Sequence, residues 1–372
     1  MEKLIFFILA VIIYNSISFG QEEDNTPKYS NEFLSIGVSA KALGLSNAVI
    51  AGSDDVTSGY WNPAGLTQVK DWLQVSAMHS NYFANIAKYD YISVAKPLDG
   101  KSTAAFTYIR FGVDDIPNTT QLIDSDGNID YDKITTFSAV DNAFILSYGR
   151  QLGIEGLSVG ANFKVVYRNV GEFAQSWGFG LDASAIYKKG DKWKFGAMFR
   201  DVTTTFNAWS FQLDNQMKET FQLTGNKIPE NGLEITLPKI ILGAQFKTDI
   251  YKQFYLKTEI DVDLNTDGRR NVLLRTAPIS IDPHWGIELG YGKWAAVRFG
   301  LGNSTWIKNP DLTESFTIQP NIGLGVGFKK ITIDYAFTDI GDASVALYSH
   351  VFSLRFALDD PKVNKTPTSS FE

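Results

Sequence analysis

One string in this sequence matches a catalytic motif. Gly156-Leu157-Ser158-Val159-Gly160 has the G-x-S-x-G pattern of a hydrolase nucleophile elbow, in which the serine attacks a carbonyl carbon. That chemistry requires a sharp turn from a strand into a helix. Here apolar and polar residues alternate through the string and on to Arg168, which is typical of an uninterrupted strand. We therefore expect small strand residues at this place and no enzyme activity.

A second group of residues has the chemistry of a metal site. Four oxygen-bearing side chains alternate around Gly127, namely Asp124, Asp126, Asn128 and Asp130. Such a loop can wrap Ca²⁺, although its register is not that of an EF-hand and no glutamate closes it. Acidic Asp-Gly turns without a metal have the same composition, so both interpretations stay open. The three histidines lack metal-ligand spacing, and we expect no other metal and no cofactor.

The composition excludes one large class of partners. The 372 residues carry a formal net charge of −7, whereas a nucleic-acid binder needs a basic face that neutralises phosphates. The chain has no cysteine and therefore neither disulfides nor thiolate metal sites. Hydrophobic residues make up 44% of the chain, which is enough for a large core or a lipid-facing band.

The N-terminus predicts export from the cytoplasm. Lys3 precedes an apolar run over residues 4–14, and Ser18-Phe19-Gly20 has the small residues of a cleavage site. The run is shorter than the about 20 residues that a transmembrane helix needs, so a signal peptide is favoured over a membrane anchor. Cleavage after Gly20 leaves a chain that starts at Gln21.

After Trp72 the hydrophobic period is two, which helices with a period of 3.6 cannot produce. Between Leu157 and Arg168, for example, every second residue is apolar. The pattern predicts fourteen strands, near 72–79, 89–97, 102–110, 140–151, 156–169, 176–188, 192–202, 237–248, 252–264, 284–292, 294–302, 316–329, 331–338 and 347–358.

The connections between these strands indicate an outer-membrane barrel. Turns after even-numbered strands are short, whereas odd-numbered strands are usually followed by longer loops, notably 111–139, 203–236, 265–283 and 303–315. Short periplasmic turns and long external loops are typical of all-β, antiparallel transmembrane barrels. A water-soluble all-β protein with one buried face remains the structural alternative.

The two faces of the strands differ as a barrel in lipid requires. Charged side chains are expected to face a wet lumen, and aromatic side chains at strand ends to form the interfacial girdles. The predicted inward set is Lys164, Arg168, Asp182, Lys194, Arg200, Lys257, Glu259 and Arg298, and the outward set is Trp177, Tyr187, Trp193 and Trp294.

The predicted external loop 203–236 carries aromatic side chains, and we single out Phe206, Trp209, Phe211 and Phe221. Exposed apolar residues on a loop of a rigid barrel suit the recognition of a protein partner. The same residues could instead pack the loop over the barrel mouth, and the sequence does not separate the two interpretations.

One stretch does not follow the strand pattern. Residues 39–66 are rich in Ala, Gly and Ser and end in Asn62-Pro63-Ala64-Gly65-Leu66. We interpret this stretch as a partly helical plug in the lumen, called the hatch below. Asp54 and Asp55 are interpreted as a helix N-cap, with a role in the lumen as the other possibility. The predicted order is a signal peptide over 1–20, a periplasmic start and lumenal hatch over 21–70, the barrel over 71–358, and a flexible periplasmic tail over 359–372.

The hatch also carries a family resemblance. Ala40–Gly44 together with Ser53–Leu66, including Trp61, resembles the N-terminal signature of the PorV/PorQ family, which is similar to FadL-type fourteen-stranded transporters. The segments 333–339 and 350–356 resemble the last hairpin of that family. The resemblance covers nearly the whole chain after the signal peptide.

The resemblance implies a Bacteroidetes-type outer-membrane protein of the type IX secretion system. Its partners would be secreted cargo with C-terminal sorting domains, the large translocon barrel, the surface-attachment machinery and outer-membrane lipid. The alternative function is that of a FadL-like channel for hydrophobic small molecules. Such a carrier should have an apolar pocket between hatch and wall. The predicted inward charges weigh against a wide apolar passage.

Overall fold

The computed structural model describes residues 29–82, 85–122, 128–309, 311–338 and 348–360. Within these ranges sixteen strands form one antiparallel sheet, which closes because the first strand pairs with the last and the fifth with the sixth. The strands are β1 Leu73–Tyr82, β2 Ala87–Pro97, β3 Ser102–Asn118, β4 Thr135–Gln151, β5 Leu157–Val170, β6 Ala174–Lys189, β7 Trp193–Arg200, β8 Thr205–Phe211, β9 Gly232–Thr236, β10 Lys239–Tyr251, β11 Phe254–Asn265, β12 Ser280–Tyr291, β13 Ala295–Lys308, β14 Glu314–Phe328, β15 Ile331–Thr338 and β16 Ser349–Leu358.

The wall of the barrel has fourteen strands, as predicted, because two of them are interrupted. Strands β7 and β8 follow each other along β6, which pairs with β7 at Ala183↔Phe199 and with β8 at Phe179↔Phe206. Between these two pairs β6 advances by four residues, whereas the strand formed by β7 and β8 advances by seven. The extra residues lie within 201–204 and form a bulge. Strands β9 and β10 likewise continue each other, next to β8 and β7.

The prediction of a single loop over residues 203–236 was wrong. It contains β8, the helix α3 (Asn215–Leu223) and β9, which carry the wall outward beyond the bulge. The sequence pattern missed these strands because β8 and β9 are short, with seven and five residues. The turns after wall strands on the other side are short, as expected: 98–101, 152–156, 190–192, 252–253, 292–294 and 329–330.

The two faces of the wall have the predicted composition. Outward positions carry exposed apolar and aromatic side chains, including all four predicted ones, Trp177, Tyr187, Trp193 and Trp294. Inward positions carry buried polar and charged side chains, including Lys164, Asp182, Arg200, Glu259 and Arg298. An apolar outer band over a polar interior is the arrangement of a barrel in lipid. Among the described residues, no helix is long and apolar enough to cross a membrane.

The hatch lies inside the barrel, and the structure extends it on both sides of the predicted stretch, to residues 29–70 of the described chain. Its regular elements are short: α1 (Ala40–Leu43), α2 (Ser58–Trp61) and two 3₁₀ turns, Glu32–Leu34 and Pro63–Gln68. Most of its side chains are buried, and Val38, Ala48, Val56 and Leu66 have no exposed surface. Its apolar side chains pack against inward residues of the wall such as Tyr89, Ile109 and Met198.

The described part of the hatch starts on the side of the long loops, and residues 21–28, where the periplasmic start is predicted to begin, lie outside the described residues. Ser30 Oγ and Thr236 Oγ1 share a hydrogen bond of 2.7 Å. Thr236 pairs with Thr205, the first residue beyond the bulge on the side of the long loops. The hatch then crosses the lumen and enters β1 at Leu73, on the side of the short turns. The predicted signal peptide (1–20) and most of the predicted tail (361–372) lie outside the described residues.

Candidate functional site between hatch and wall

The Asn-Pro-Ala-Gly turn of the hatch is held in a socket of the wall. The Asn62 side chain accepts a hydrogen bond from the Ala64 amide (3.2 Å) and donates to the Ile50 carbonyl (2.8 Å) and the Ala185 carbonyl (3.3 Å). The Ala64 amide also donates to Ser184 Oγ (3.0 Å). Pro63 begins the following 3₁₀ turn, where its missing N–H costs nothing.

Two glycines of the wall make room for this turn. A Cβ at Gly160 would lie 2.3 Å from the Ala64 nitrogen, and one at Gly149 would lie 2.3 Å from the Pro63 oxygen. Next to them, Ser158 and Thr67 share a hydrogen bond of 3.0 Å. Of the G-x-S-x-G string, Gly156 ends the turn before β5, and Leu157–Gly160 belong to β5, where Ser158 and Gly160 form part of the hatch socket. The socket was not predicted, because the string was interpreted only as small strand residues.

Two carboxylates of β11 bind four consecutive amides of the hatch. Asp261 Oδ2 accepts hydrogen bonds from Val49 N (2.7 Å) and Ile50 N (2.9 Å). Glu259 Oε1 accepts from the next two amides, those of residues 51 and 52, at 2.6 and 3.0 Å. Hydrogen bonds to a charged acceptor are among the strong ones. These contacts anchor the middle of the hatch, and no pattern in the sequence indicates that Asp261 would contact it.

Asp55 makes one cap-type contact, because its Oδ1 accepts a hydrogen bond from the Thr57 amide (3.0 Å) in the turn that leads into helix α2. Thr57, the residue before the helix, makes no capping hydrogen bond with its own side chain. Both carboxylates, those of Asp54 and Asp55, also bind Lys41 Nζ, at 3.1 and 3.2 Å, and Asp55 pairs with Arg355 of the wall. The cap interpretation and a role within the lumen both remain predictions. Three hatch charges and one wall charge form a single cluster.

Next to this cluster, side chains of β11, β12, β13 and β15 form a chain of ion pairs on the inner face of the wall. Glu288 binds Lys257 Nζ (3.0 Å) and Arg298 Nε (2.6 Å), and Arg298 also binds Asp334 (2.7 Å). Breaking such a pair leaves a buried charge without its partner, which is strongly destabilising. The inner cavity beside the cluster, about 30 Å³, is lined by Lys41, Lys257, Glu259 and Glu288 as well as by apolar residues.

On the outer side the lumen widens into a vestibule. We give this name to two cavities of about 180 and 50 Å³ that share six lining residues: Glu32, Ser35, Arg200, Lys239, Asn265 and Arg270. Its floor is the hatch, where Trp61 Nε1 donates to the Val38 carbonyl (3.0 Å). The lining mixes charged groups with Ile50, Trp61, Ile241 and Val272. The lining of this vestibule is thus mixed and strongly charged, and it differs from the apolar pocket expected of a hydrocarbon carrier.

The residues of the predicted partner-binding loop lie in ordered structure. Phe206 points outward from β8 beside Phe179, and is 44% exposed. Trp209 Nε1 donates to Glu234 (2.6 Å), its ring stacks on Phe211, and Arg168 lies over it. Phe221 is half-buried on α3. These contacts favour the packing interpretation for Trp209, and the partner role of the set stays a prediction.

The predicted calcium loop lies partly outside the described residues, which omit Asp124 and Asp126 but include Asn128 and Asp130. Asp130 accepts a hydrogen bond from the Asp132 amide and caps the 3₁₀ turn Tyr131–Lys133. In the described part of the chain, no group of three His, Cys, Asp or Glu residues could hold a metal. The calcium proposal for Asp124, Asp126, Asn128 and Asp130 therefore stays a prediction.

Comparison with known proteins finds similar structures but no similar sequence family. No protein-family model and no curated protein sequence matches the chain. Among solved structures, the CymD monoaromatic hydrocarbon channel has a TM-score of 0.55 at 14% identity, over 87% of this chain and 98% of that one. The TodX toluene transporter of P. putida has 0.55 at 11% identity, over 87% and 99%. A FadL homologue of Pseudomonas aeruginosa has 0.50 at 11% identity, over 86% and 98%.

The protein therefore has the fold of the FadL-type fourteen-strand barrels. At such low identity the likeness concerns the fold alone. By description CymD is a channel and TodX a transporter, and none of the three is described as an enzyme. The finer resemblance to the PorV/PorQ family has no support from these comparisons.

Proposed function

We propose that this protein is an outer-membrane channel for small molecules whose passage is controlled by the hatch. The observation that carries the proposal is the way the hatch is fixed. It closes the lumen through hydrogen bonds and ion pairs to the wall, and no covalent link is possible because the chain has no cysteine. Likeness of fold to hydrocarbon channels supports this function over a role in secretion.

The first test is to lock the hatch with a disulfide. Ser39 of the hatch and Ser353 of β16 have their Oγ atoms 3.5 Å apart, so cysteines at both positions are close enough to form a disulfide without large backbone movement. In proteoliposomes carrying Ser39→Cys/Ser353→Cys, solute flux is expected to fall at least about tenfold on oxidation and to return on reduction, because each locked molecule stays closed.

The matched control is Thr305→Cys/Thr317→Cys. These side chains on β13 and β14 are 3.0 Å apart and join two neighbouring wall strands, away from the hatch. Oxidation of this pair should leave the flux unchanged. Equal flux through the oxidised and reduced hatch-locked protein would rule out passage by hatch movement.

A second proposal concerns a protein partner, such as the secreted cargo, translocon barrel or attachment machinery that the resemblance implies. It is supported by exposed apolar side chains on the outer extension of the wall, Leu233 (61% exposed) and Ile235 (46%) of β9 beside Phe206. Exposed apolar patches of this kind are typical of interaction sites.

Affinity purification from native outer membranes tests this partner. We expect a co-purifying protein that is lost with Leu233→Asp, because a charge at the centre of a buried apolar contact is costly. Val202→Asp is the control, since Val202 on the bulge is also exposed (50%) but lies outside β9. Recovery of the barrel alone from wild-type membranes would contradict the proposal.

A further inference from the structure

The cations of the outer vestibule are paired with carboxylates, with one exception. Lys239 binds Asp263 at 2.5 Å, Arg270 binds Asp267 and Glu32 at 2.5 and 2.7 Å, and Lys164 binds Asp182 and Asp201 at 2.7 and 2.6 Å. Arg200 lies among them without an ion pair: within the described residues no carboxylate oxygen is within 4.0 Å of its nitrogens.

Arg200 is buried, with 9% of its surface exposed, and is only partly satisfied. Its Nη1 donates to the Leu34 carbonyl (3.1 Å) and approaches the Tyr60 hydroxyl (3.5 Å), while Nη2 has no hydrogen-bond partner. The guanidinium carbon lies 4.6 Å from the centre of the Tyr60 ring and 5.7 Å from that of Trp61. Hatch aromatics thus fix the guanidinium plane, and an open donor remains. A buried charge in this state is costly unless a ligand completes it.

The same cavity also holds acceptors that lack a cationic partner. Asp282 accepts from Ser304 (3.0 Å) and lies 3.6 Å from His284, but no Lys or Arg among the described residues comes within 4.0 Å of it. Asn265 Oδ1 is buried and has no hydrogen-bond partner. A ligand that fills the cavity therefore meets one open cationic donor and a separate set of open acceptors.

The charge balance of the larger cavity decides what kind of ligand fits. Its lining contains three Lys or Arg cations and three carboxylates, Arg200, Lys239 and Arg270 against Glu32, Asp263 and Asp282, together with His284 beside Asp282. A simple anion would gain Arg200 but would meet Asp282, which has no Lys or Arg partner among the described residues, and a simple cation would meet Arg200. A molecule that carries both charges satisfies both groups without an excess of either.

We propose that the vestibule binds a small zwitterion that carries a carboxylate and an ammonium group, such as a free amino acid. The carboxylate is held by Arg200 Nη2, and the ammonium by Asp282 and Asn265 Oδ1. The cavity of about 180 Å³ fits a compact molecule, and Ile50, Ile241 and Val272 accommodate an apolar side chain. This inference rests on the proposed channel function, because it names the class of molecule that enters from outside.

The test is calorimetric titration of the full-length barrel in detergent with three matched probes: L-leucine, 4-methylpentanoate, which lacks the ammonium group, and 3-methylbutylamine, which lacks the carboxylate. We expect L-leucine to bind at least about tenfold more tightly than either analogue, since each analogue loses a hydrogen bond to a charged group. Equal affinities, or no binding of L-leucine, would overturn the proposal.

Two variants make the assignment specific to residues. Arg200→Gln should weaken L-leucine at least about tenfold and leave 3-methylbutylamine unchanged, whereas Asp282→Asn should weaken L-leucine and leave 4-methylpentanoate unchanged. This crossed pattern cannot come from a general loss of structure, and the wild-type probe series decides the matter even where a variant does not fold. Arg168→Gln is the control, because Arg168 pairs with Asp141 and Glu234 and does not line the vestibule.

The titration and the flux experiment fail separately. If the disulfide lock blocks flux but L-leucine does not bind, the channel stands and the zwitterion site is wrong. If L-leucine binds with the crossed pattern but the lock leaves flux unchanged, the site stands and hatch-controlled passage is wrong.

Discussion

Replacing Asp261 by alanine is expected to loosen the hatch from the wall. The substitution leaves the Val49 and Ile50 amides without their acceptor, and each buried N–H left unpaired costs about 1–3 kcal/mol. Water that enters the space of the lost carboxylate restores part of this hydrogen bonding. We therefore expect a destabilisation at the lower end of that range, about 2 kcal/mol for the two amides together. Hydrogen exchange of hatch amides should then accelerate roughly 30-fold.

Asp141→Ala is the control for this experiment. Asp141 is also a wall carboxylate in an ion pair, with Arg168, but has no hydrogen bond to the hatch. Its loss should leave hatch exchange at the wild-type rate. If hatch amides of Asp261→Ala also exchange at the wild-type rate, the β11 carboxylates do not hold the hatch.

A raised basal conductance in planar bilayers should accompany faster hydrogen exchange, because a loosened hatch leaves the lumen open more often.

Replacing Gly160 by valine is expected to displace the Asn-Pro-Ala-Gly turn from its socket. The new Cβ would lie 2.3 Å from the Ala64 nitrogen and 2.4 Å from the Pro63 carbonyl carbon. These are backbone atoms, so no side-chain rotation relieves the overlap, and the turn must move. Overpacking of this kind costs about 1–3 kcal/mol, and here it also breaks the hydrogen bond from Ala64 to Ser184.

Limited proteolysis measures the displacement. Trypsin should cleave Gly160→Val after Lys41 or Lys70 at least about tenfold faster than the wild type, because a hatch out of its socket samples unfolded conformations more often. Gly153→Val is the control, since a Cβ at Gly153 in a short turn meets no atom within 4 Å. Equal cleavage of the two variants would show that the socket does not hold the turn.

The fold could be predicted from sequence because its signal is local. Alternation of apolar and polar residues reports which face of a strand meets lipid, and this holds for each strand separately. It therefore gave the fourteen wall strands and the outward positions of residues such as Trp177 and Trp294. It failed at 203–236, where the bulge at 201–204 divides one wall strand into β7 and β8.

The hatch was recognised for the opposite reason. Its small residues lack a period of two, and its closing turn has a specific composition. The helix-cap interpretation of Asp54 and Asp55 was a local inference, and the structure shows only its local part, the contact of Asp55 with the Thr57 amide. It missed the ion pair of Asp55 with Arg355, 300 residues away, because no pattern among neighbouring residues indicates such a contact.

By itself the sequence determined the barrel, the number of its wall strands, the charged interior and the presence of a hatch, because each follows from patterns within a few neighbouring residues. Only the tertiary structure decided which wall groups hold the hatch and which remain open. Val49 and Asp261 are 212 residues apart, and they meet only through closure and register of the whole barrel. The same closure places Arg200, whose Nη2 has no hydrogen-bond partner, and Asp282 in one cavity, and no pattern among neighbouring residues indicates this.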